Sequence, residues 1–276
     1  MDDIKQSYLN VMKNVLTDYN RIDLFEYKPL LNTSKRNWKV QIMLLIDKII
    51  NRDNYYICSK IGYIKEDREN GRDWPTYAET MIGLKRLNNI EHCIKDTVKN
   101  NIEGDLIETG VWRGGATVFM KAVLKSLEVT NKVVWVADSF EGLPKPDERY
   151  AADKSDTHYK KNALAISLEY VKNNFKKYDL LDENVKFLKG WFKDTLPTAP
   201  INKLSVLRLD GDMYSSTMDA LVSLYPKLSI GGYIIIDDWG AVPACKQAVV
   251  DYRTQHGISE QIIDIDWASV YWKKLQ

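Results

Sequence analysis

Five carboxylates in this chain stand where apolar runs stop. Leu204–Leu209 (LSVLRL) ends in Asp210-Gly211-Asp212, and residues 233–236 (YIII) end in Asp237-Asp238. A third run, residues 133–137 (VVWVA), ends in Asp138. Short β-rich apolar runs read as buried parallel strands. In an open α/β sheet, ligands bind beyond the carboxyl ends of such strands. Acids gathered on one rim repel each other unless a cation sits among them. The set therefore points to a metal, a positively charged ligand, or both. Each acid alone has a plainer use: Asp238 as cap of a helix near Pro243, Asp212 as cap of a turn before Ser216, Asp210 as partner of Arg208. Four at two adjacent strand ends favour the metal.

A second chemical signal is the turn Glu108-Thr-Gly110-Val-Trp-Arg-Gly114-Gly115. It follows a strand and opens a helix. Glycines there let the backbone turn tightly and approach a ligand. The dinucleotide pattern G-x-G-x-x-G is absent. An acid ahead of the turn suits a cationic group better than a pyrophosphate. Asp138, thirty residues later, stands where a carboxylate accepts from ribose hydroxyls. A nucleoside with a cationic tail answers both, and S-adenosylmethionine is such a molecule.

The elements that must hold these residues form a strand-helix alternation from residue 104 onward. Strands are expected at 105–108, 133–137, 185–188, 204–209 and 233–236, with helices at 116–127, 164–175, 217–228 and 244–256. Ser216 and Asp219 are spaced as a capping box for the third of these helices. Residues 262–265 and 269–272 close the chain as an antiparallel edge pair. Residues 1–100 read as helical and irregular, with helices at 77–87, capped by Thr76 and Glu79, and at 88–100. The expected architecture is an α/β, Rossmann-like, doubly wound sheet with helices on both faces, at 101–276, behind a helical N-terminal cap at 1–100.

Bulk properties narrow the function. The 276 residues carry a formal net charge of +1, so no global field recruits nucleic acid or an anionic membrane. Cys58, Cys93 and Cys245 are far apart with no C-x-x-C pair, which argues against a zinc site and suits a reducing, cytoplasmic setting. The polar N-terminus is not a secretory signal, and the apolar stretch 42–46 is too short to span a bilayer. Eight Trp and sixteen Tyr are enough to fill a core and also line a pocket; Tyr55, Tyr56 and Trp74 are candidates for the latter. His158 follows a charged loop, 147–160, and is a candidate lid residue reaching the acceptor.

At these blocks the chain resembles the macrocin O-methyltransferase family, metal-dependent enzymes of natural-product biosynthesis that methylate sugar hydroxyls. The resemblance covers about residues 70–276. It rests on Thr80-Met-Ile-Gly-Leu-Lys-Arg-Leu-Asn-Asn, Glu108-Thr-Gly-Val-Trp-Arg-Gly-Gly, Val136-Ala-Asp-Ser-Phe-Glu-Gly-Leu-Pro, Gly190-Trp-Phe-Lys-Asp-Thr-Leu-Pro, Leu209-Asp-Gly-Asp-Met-Tyr, Ile236-Asp-Asp and Val270-Tyr-Trp. It implies a class I methyltransferase fold. It also implies a cofactor cradle of Glu108, Thr109, Gly110, Val111 and Trp112. Asp138 would hold the ribose, with Ser139, Phe140, Glu141 and Gly142 toward the adenine and Ser167 nearby. Thr80 and Met81 would close over the methionine end, and Trp191 and Phe192 would lie beside the cofactor, with Asp210 touching it. Asp210, Asp237 and Asp238 would hold Mg2+, and Asp212 would be the general base. Residues 1–65 match the family least, and that segment tends to shape the acceptor pocket. A small glycoside or saccharide acceptor and a homodimer or dimer-based oligomer are expected. A catechol-type phenolic O-methyltransferase, a non-catalytic cofactor-binding partner and, more distantly, a nicotinamide dehydrogenase stay open on sequence alone.

Overall fold

The computed structural model of the chain describes residues 3–21, 25–30, 37–50 and 57–276. The apolar runs pair as a seven-stranded sheet. Its strands are β3 (Asp105–Thr109), β4 (Val134–Asp138), β5 (Val185–Lys189), β6 (Leu204–Leu209), β7 (Leu228–Ile236), β8 (Ile263–Asp264) and β9 (Val270–Lys273). Their order across the sheet is β5-β4-β3-β6-β7-β9-β8. The first five are parallel; β9 runs antiparallel to β7, and β8 antiparallel to β9. The chain winds outward from β3 to β5 and then returns to lay β6 against the other side of β3. That reversal is the switch point at which an open α/β sheet forms its crevice. Thr109 and Leu209 end the two strands that flank it, with Asp210 next in the chain.

Strand alternation sends side chains to two cores. Leu106, Val136, Val206 and Ile235 face α1 (Asp3–Leu16), α4 (Leu84–Lys99), α5 (Gly115–Ser126) and α6 (Leu168–Lys177). Ile107, Leu207, Leu209 and Ile236 face α8 (Tyr214–Leu224) and α9 (Pro243–Gln255). Leu9, Met12 and Leu16 of α1 belong to the first core, so the chain's first helix packs on the sheet domain. Residues 1–100 are not wholly helical. β1 (Phe25–Pro29) and β2 (Cys58–Gly62) pair as a separate antiparallel ribbon, with α2 (Trp38–Ile50) between them in sequence and α3 (Lys65–Asn70) after. Their alternation is too short and too polar to be distinguished from loop. Tyr55 and Tyr56 lie outside the described residues.

Three expected boundaries move for identifiable reasons. No helix forms over 77–83. The amides of Glu79 and Thr80 both donate to the Leu16 carbonyl (2.9 and 3.3 Å), and the Thr76 amide donates to Glu26 Oε2 (3.1 Å). Arg113 takes the carbonyls of Thr76 and Ala78 at 3.0 and 2.8 Å, so the groups a helical turn would pair are already engaged. The Thr76–Glu79 capping box is therefore not formed, and a single helix, α4, begins after Gly83. Second, α8 starts three residues early, at Tyr214, without the Ser216–Asp219 box, because another part of the chain caps it (below). Third, residues expected to begin α6 form single 3-10 turns, and the helix starts only after Ser167.

The tightest approach in the crevice is at Gly110. Its φ is +83°, and a Cβ built there would lie 1.7 Å from the Asp210 carbonyl oxygen. Gly110→Ala is thus expected to destabilise the fold by about 3 kcal/mol or more, through strain and displacement of β6. Gly62→Ala, with nothing within 4 Å, is the control and should change stability by about 0.5 kcal/mol or less. Urea denaturation of both variants decides it; equal stability would contradict the close β3–β6 contact.

Candidate functional site

The acids at the strand ends are organised by one cation from within the sheet. Arg208 of β6 is wholly buried. Register places it directly opposite Glu108 of β3, and its guanidinium pairs with Glu108 Oε1. The same group pairs with Asp237 Oδ1 at the end of β7, and with Asp210 Oδ2 at 2.9 Å. Arg86 of α4 approaches from the helical layer. It bonds Asp237 Oδ2 at 2.6 Å and Asp266 at 2.7 Å. The Ser269 hydroxyl donates to Asp237 Oδ1 at 3.1 Å. Removing one member of so buried a pairing strands the rest, a loss of about 3–5 kcal/mol. Arg208 and Asp210 are two apart on one strand and so share a face. The plainer use of Asp210 is therefore present alongside its place in the acidic cluster.

The arginines do not satisfy the whole set. Burial works to raise Asp237, but Arg208 and Arg86 outweigh it and hold that carboxyl below its ordinary range. Burial, with the charge of Asp237, drives Asp210 well above its own. Burial, with Asp212 and Asp210, does the same to Asp238. Asp212 is lifted to about 6, chiefly by burial, with His158 pulling it back. Burial lifts Glu108 to about 7 despite Arg208. Asp210, Asp237 and Asp238 each offer a carboxylate oxygen, all within 4.8 Å of one another. Asp238 does not use its carboxylate as a helix cap: Oδ2 accepts the Asp212 amide at 3.2 Å, and only its backbone carbonyl serves the turn into α9. Asp212 itself has φ +56°, a strained conformation for a non-glycine residue, and caps nothing.

The acids border a cavity of about 780 Å3, lined by Gly110, Asp138, Asp210 and Asp212 along its floor and by Met81, Trp112, Trp191 and Phe192 among its apolar walls. Ser139 and Gly142 line it too, with the loop 143–149 at the mouth. Asp138 holds this turn together. Its Oδ2 accepts the Val111 amide at 2.8 Å and its Oδ1 the Phe140 amide at 2.7 Å. Trp112 (φ +48°) and Phe140 (φ +58°) are held in left-handed conformations on either side. The remaining candidates stand behind the wall. Glu108 and Thr109 are buried under it, each with one side-chain oxygen lacking a hydrogen-bond partner. Val111, Phe140 and Thr80 are buried, Thr80 Oγ1 accepting the Ile82 amide at 3.3 Å. Glu141 is exposed, and Ser167 caps α6 by accepting the Tyr170 amide at 3.2 Å. Asp237 and Asp238 are buried and do not line the cavity. His158 lies off the wall, though near enough for its charge to act on Asp212.

Several residues of the site escape sequence reading. Arg86 and Asp266 complete the buried network but are 180 residues apart, with no local pattern to join them. Asp153 is wholly buried and accepts the amides of Tyr214 and Ser215 at 2.7 and 2.9 Å, so the loop before His158 caps α8. Arg68, also wholly buried, donates to the Met81 carbonyl and fixes that part of the wall. An arginine inside the apolar run LSVLRL was the one available signal, since a lone buried guanidinium demands acids around it.

In the metal-free protein, the raised acids make stability pH-dependent with a definite sign. Glu108 and Asp212 keep protons to about 7 and about 6 when folded, against 4.5 and 3.8 ordinarily. The folded state binds more protons, so this contribution is complete below the unfolded values and is lost as pH rises through the folded ones. Asp212→Asn removes its share. The fall in melting temperature between about pH 4 and 7 should be shallower in Asp212→Asn than in the parent chain, read by calorimetry. Parallel pH curves would show that Asp212 ionises normally.

Comparison with known proteins joins this geometry to a family. The model of the macrocin O-methyltransferase (TylF) family matches residues 5–274. The demethyldecarbamoylnovobiocin O-methyltransferase of Streptomyces niveus is 55% identical over 214 residues, 77% of this chain and 82% of that protein. The mycinamicin III 3''-O-methyltransferase of Micromonospora griseorubida is 49% identical over 222 residues, 79% of this chain and 87% of its own. The solved structure of the O-methyltransferase NovP superposes with a TM-score of 0.82 at 44% identity, covering 99% of this chain and 100% of that one. The calicheamicin methyltransferase CalS11, at 15% identity and a TM-score of 0.58, shares the fold. The seven-stranded sheet, the acid-bordered crevice at its switch point and these matches together place the chain in the macrocin O-methyltransferase family, with the class I methyltransferase fold and an O-methyltransferase's activity.

Proposed function

We propose that the chain is a Mg2+-dependent enzyme that moves the methyl group of S-adenosylmethionine to a sugar hydroxyl of a glycosylated metabolite or saccharide. The observation that carries this is the trio Asp210, Asp237 and Asp238, whose carboxylate oxygens lie within 4.8 Å of one another, with Asp210 and its neighbour Asp212 lining one cavity. Two of the three are driven toward the protonated form, as carboxylates are when a cation is missing from the balance. An all-oxygen donor set suits a hard divalent ion. The sugar acceptor is supported by relatives: one from Streptomyces olivaceus, 53% identical over 205 residues, is a 4'-O-methyltransferase of a rhamnosyl tetracenomycin.

When bound, S-adenosylmethionine supplies an activated methyl group, and Mg2+ among the three acids supplies Lewis-acid polarisation of the acceptor oxygen. The chain's own residues position and deprotonate. Asp138, its oxygens already holding the turn, keeps further lone pairs for the ribose hydroxyls. The unpartnered oxygen of Glu108 is available beneath the methionine end. Met81, Trp112, Trp191 and Phe192 keep water from the transferring methyl group, and bringing donor and acceptor into line accounts for much of the rate. Asp212 takes the hydroxyl proton; a carboxyl lifted to about 6 is a better base than an ordinary aspartate. The N-terminal segment shapes the acceptor side, where Trp74 is half exposed with Lys161 Nζ 5.1 Å from its ring centre.

The proposal extends to setting and assembly. Cys93 and Cys245 are buried thiols and no disulfide is present among the described residues, which suits the cytoplasm. α2 exposes Trp38, Ile42, Leu45 and Ile49, an apolar face that a second copy would cover, giving a dimer or dimer-based oligomer. Light scattering that finds only monomer would remove the dimer.

The functional test is calorimetric titration with S-adenosylhomocysteine, with and without Mg2+, followed by assay of glycosides and catechols. Cofactor binding is expected in both conditions, with methylation of a glycoside only when Mg2+ is present. Asp212→Asn should bind S-adenosylhomocysteine within about two-fold of the parent and lose about 100-fold or more in kcat. Turnover of catechols alone, or an Asp212→Asn enzyme of near-normal rate, would overturn the reading.

A further inference from the structure

The segment 147–164 is tied down at two points. Asp153 is bonded to the first turn of α8, two residues past Asp212. Farther along, the Ala163 carbonyl accepts the Trp112 indole N–H at 2.9 Å, from the cavity wall. Between these anchors Asp156 grips His158 twice. Its Oδ1 accepts the His158 amide at 2.7 Å, and its Oδ2 lies 2.7 Å from the ring Nδ1. A carboxylate only accepts, so Nδ1 carries the proton, and in the neutral ring Nε2 then presents a lone pair. The Asp156 side chain is 14% exposed and that of His158 37%, so the grip is sheltered while the ring stays open to a ligand. The residues at the two anchors, Ser215 and Trp112, both line the cavity that holds Asp212. A histidine held by its amide and by its ring Nδ1, on a segment itself doubly anchored, has lost the freedom a solvated histidine keeps.

We propose that Asp156 is a positioning residue for methyl transfer: it fixes His158 as the Nδ1–H tautomer, so that Nε2 accepts a hydrogen bond from a hydroxyl of the acceptor next to the one being methylated. This rests on the reading of a polyhydroxylated acceptor held beside Asp212. A flat phenol with one hydroxyl would give Nε2 nothing to accept. The arrangement therefore selects for a neighbouring hydroxyl on the acceptor, by leaving a polar group unpaired when that hydroxyl is missing.

Two measurements test it. The chain has three histidines, His92, His158 and His256, so 15N long-range correlation spectra at alkaline pH are readily assigned with a His158→Gln variant. His158 should appear as the Nδ1–H tautomer in the parent, and Asp156→Asn should abolish that preference. With a glycoside that the enzyme methylates, Asp156→Asn should raise the acceptor KM about ten-fold while leaving the KM for S-adenosylmethionine unmoved. His158→Ala added to Asp156→Asn should cost nothing further. An Nε2–H tautomer in the parent, a tautomer indifferent to Asp156→Asn, or an unchanged acceptor KM would each overturn the proposal. If no glycoside is methylated, the functional reading falls on its own, and the tautomer spectra still decide the role of Asp156.

Discussion

A guanidinium with no access to water is the constraint around which this site is built. Arg208 sits in the middle of an otherwise apolar strand, and its burial is tolerable only with acids on every side. Glu108 comes from the strand on one flank, Asp237 from the strand on the other, and Asp210 from its own. That requirement fixes the relative register of β3, β6 and β7 at the carboxyl edge. It also brings more negative charge to the rim than Arg208 and Arg86 can balance. The surplus appears as the raised carboxyls of Asp210, Asp212 and Asp238. The same packing that stabilises the strand ends thus leaves negative charge unbalanced.

The glycine turn and the acids are one structure seen from two sides. Gly110 has to be glycine because the Asp210 carbonyl occupies the space of a side chain. Asp138 has to be an acid because it collects the amides of Val111 and Phe140 across the crevice. Glycine turn and acidic floor therefore cannot shift independently. The segment 147–164 joins them a second time, through Asp153 on α8 and through the Trp112 indole.

Much of this was readable from residue order. Leu204–Leu209 was located to the residue, because a six-residue apolar run followed by Asp-Gly-Asp has few other readings. The glycine turn, the antiparallel closing pair and the cluster of strand-end acids followed from short-range patterns. Partners that are distant in sequence were not readable. Arg86 meets Asp237 from a helix 151 residues away. The 77–83 strap looked helical because propensity is local, whereas its hydrogen bonds go to Leu16, Glu26 and Arg113. The cap of α8 was sought at Ser216 and came from Asp153, sixty-one residues upstream. The β1–β2 ribbon carries too little apolar alternation to signal a strand. Local chemistry was legible; long-range satisfaction of buried polar groups was not.

The central claim is that the acidic surplus around Arg208 exists to receive a divalent cation. It is tested most directly by titrating the cofactor-free protein with Mg2+ in two buffers of different ionisation enthalpy. Burial and neighbouring acids drive Asp210 and Asp238 toward the protonated form, so an ion bound there should displace protons. The account predicts saturable binding at one site per chain with release of protons, abolished in Asp238→Asn. Absence of binding, or binding with no proton release and no dependence on Asp238, would contradict it.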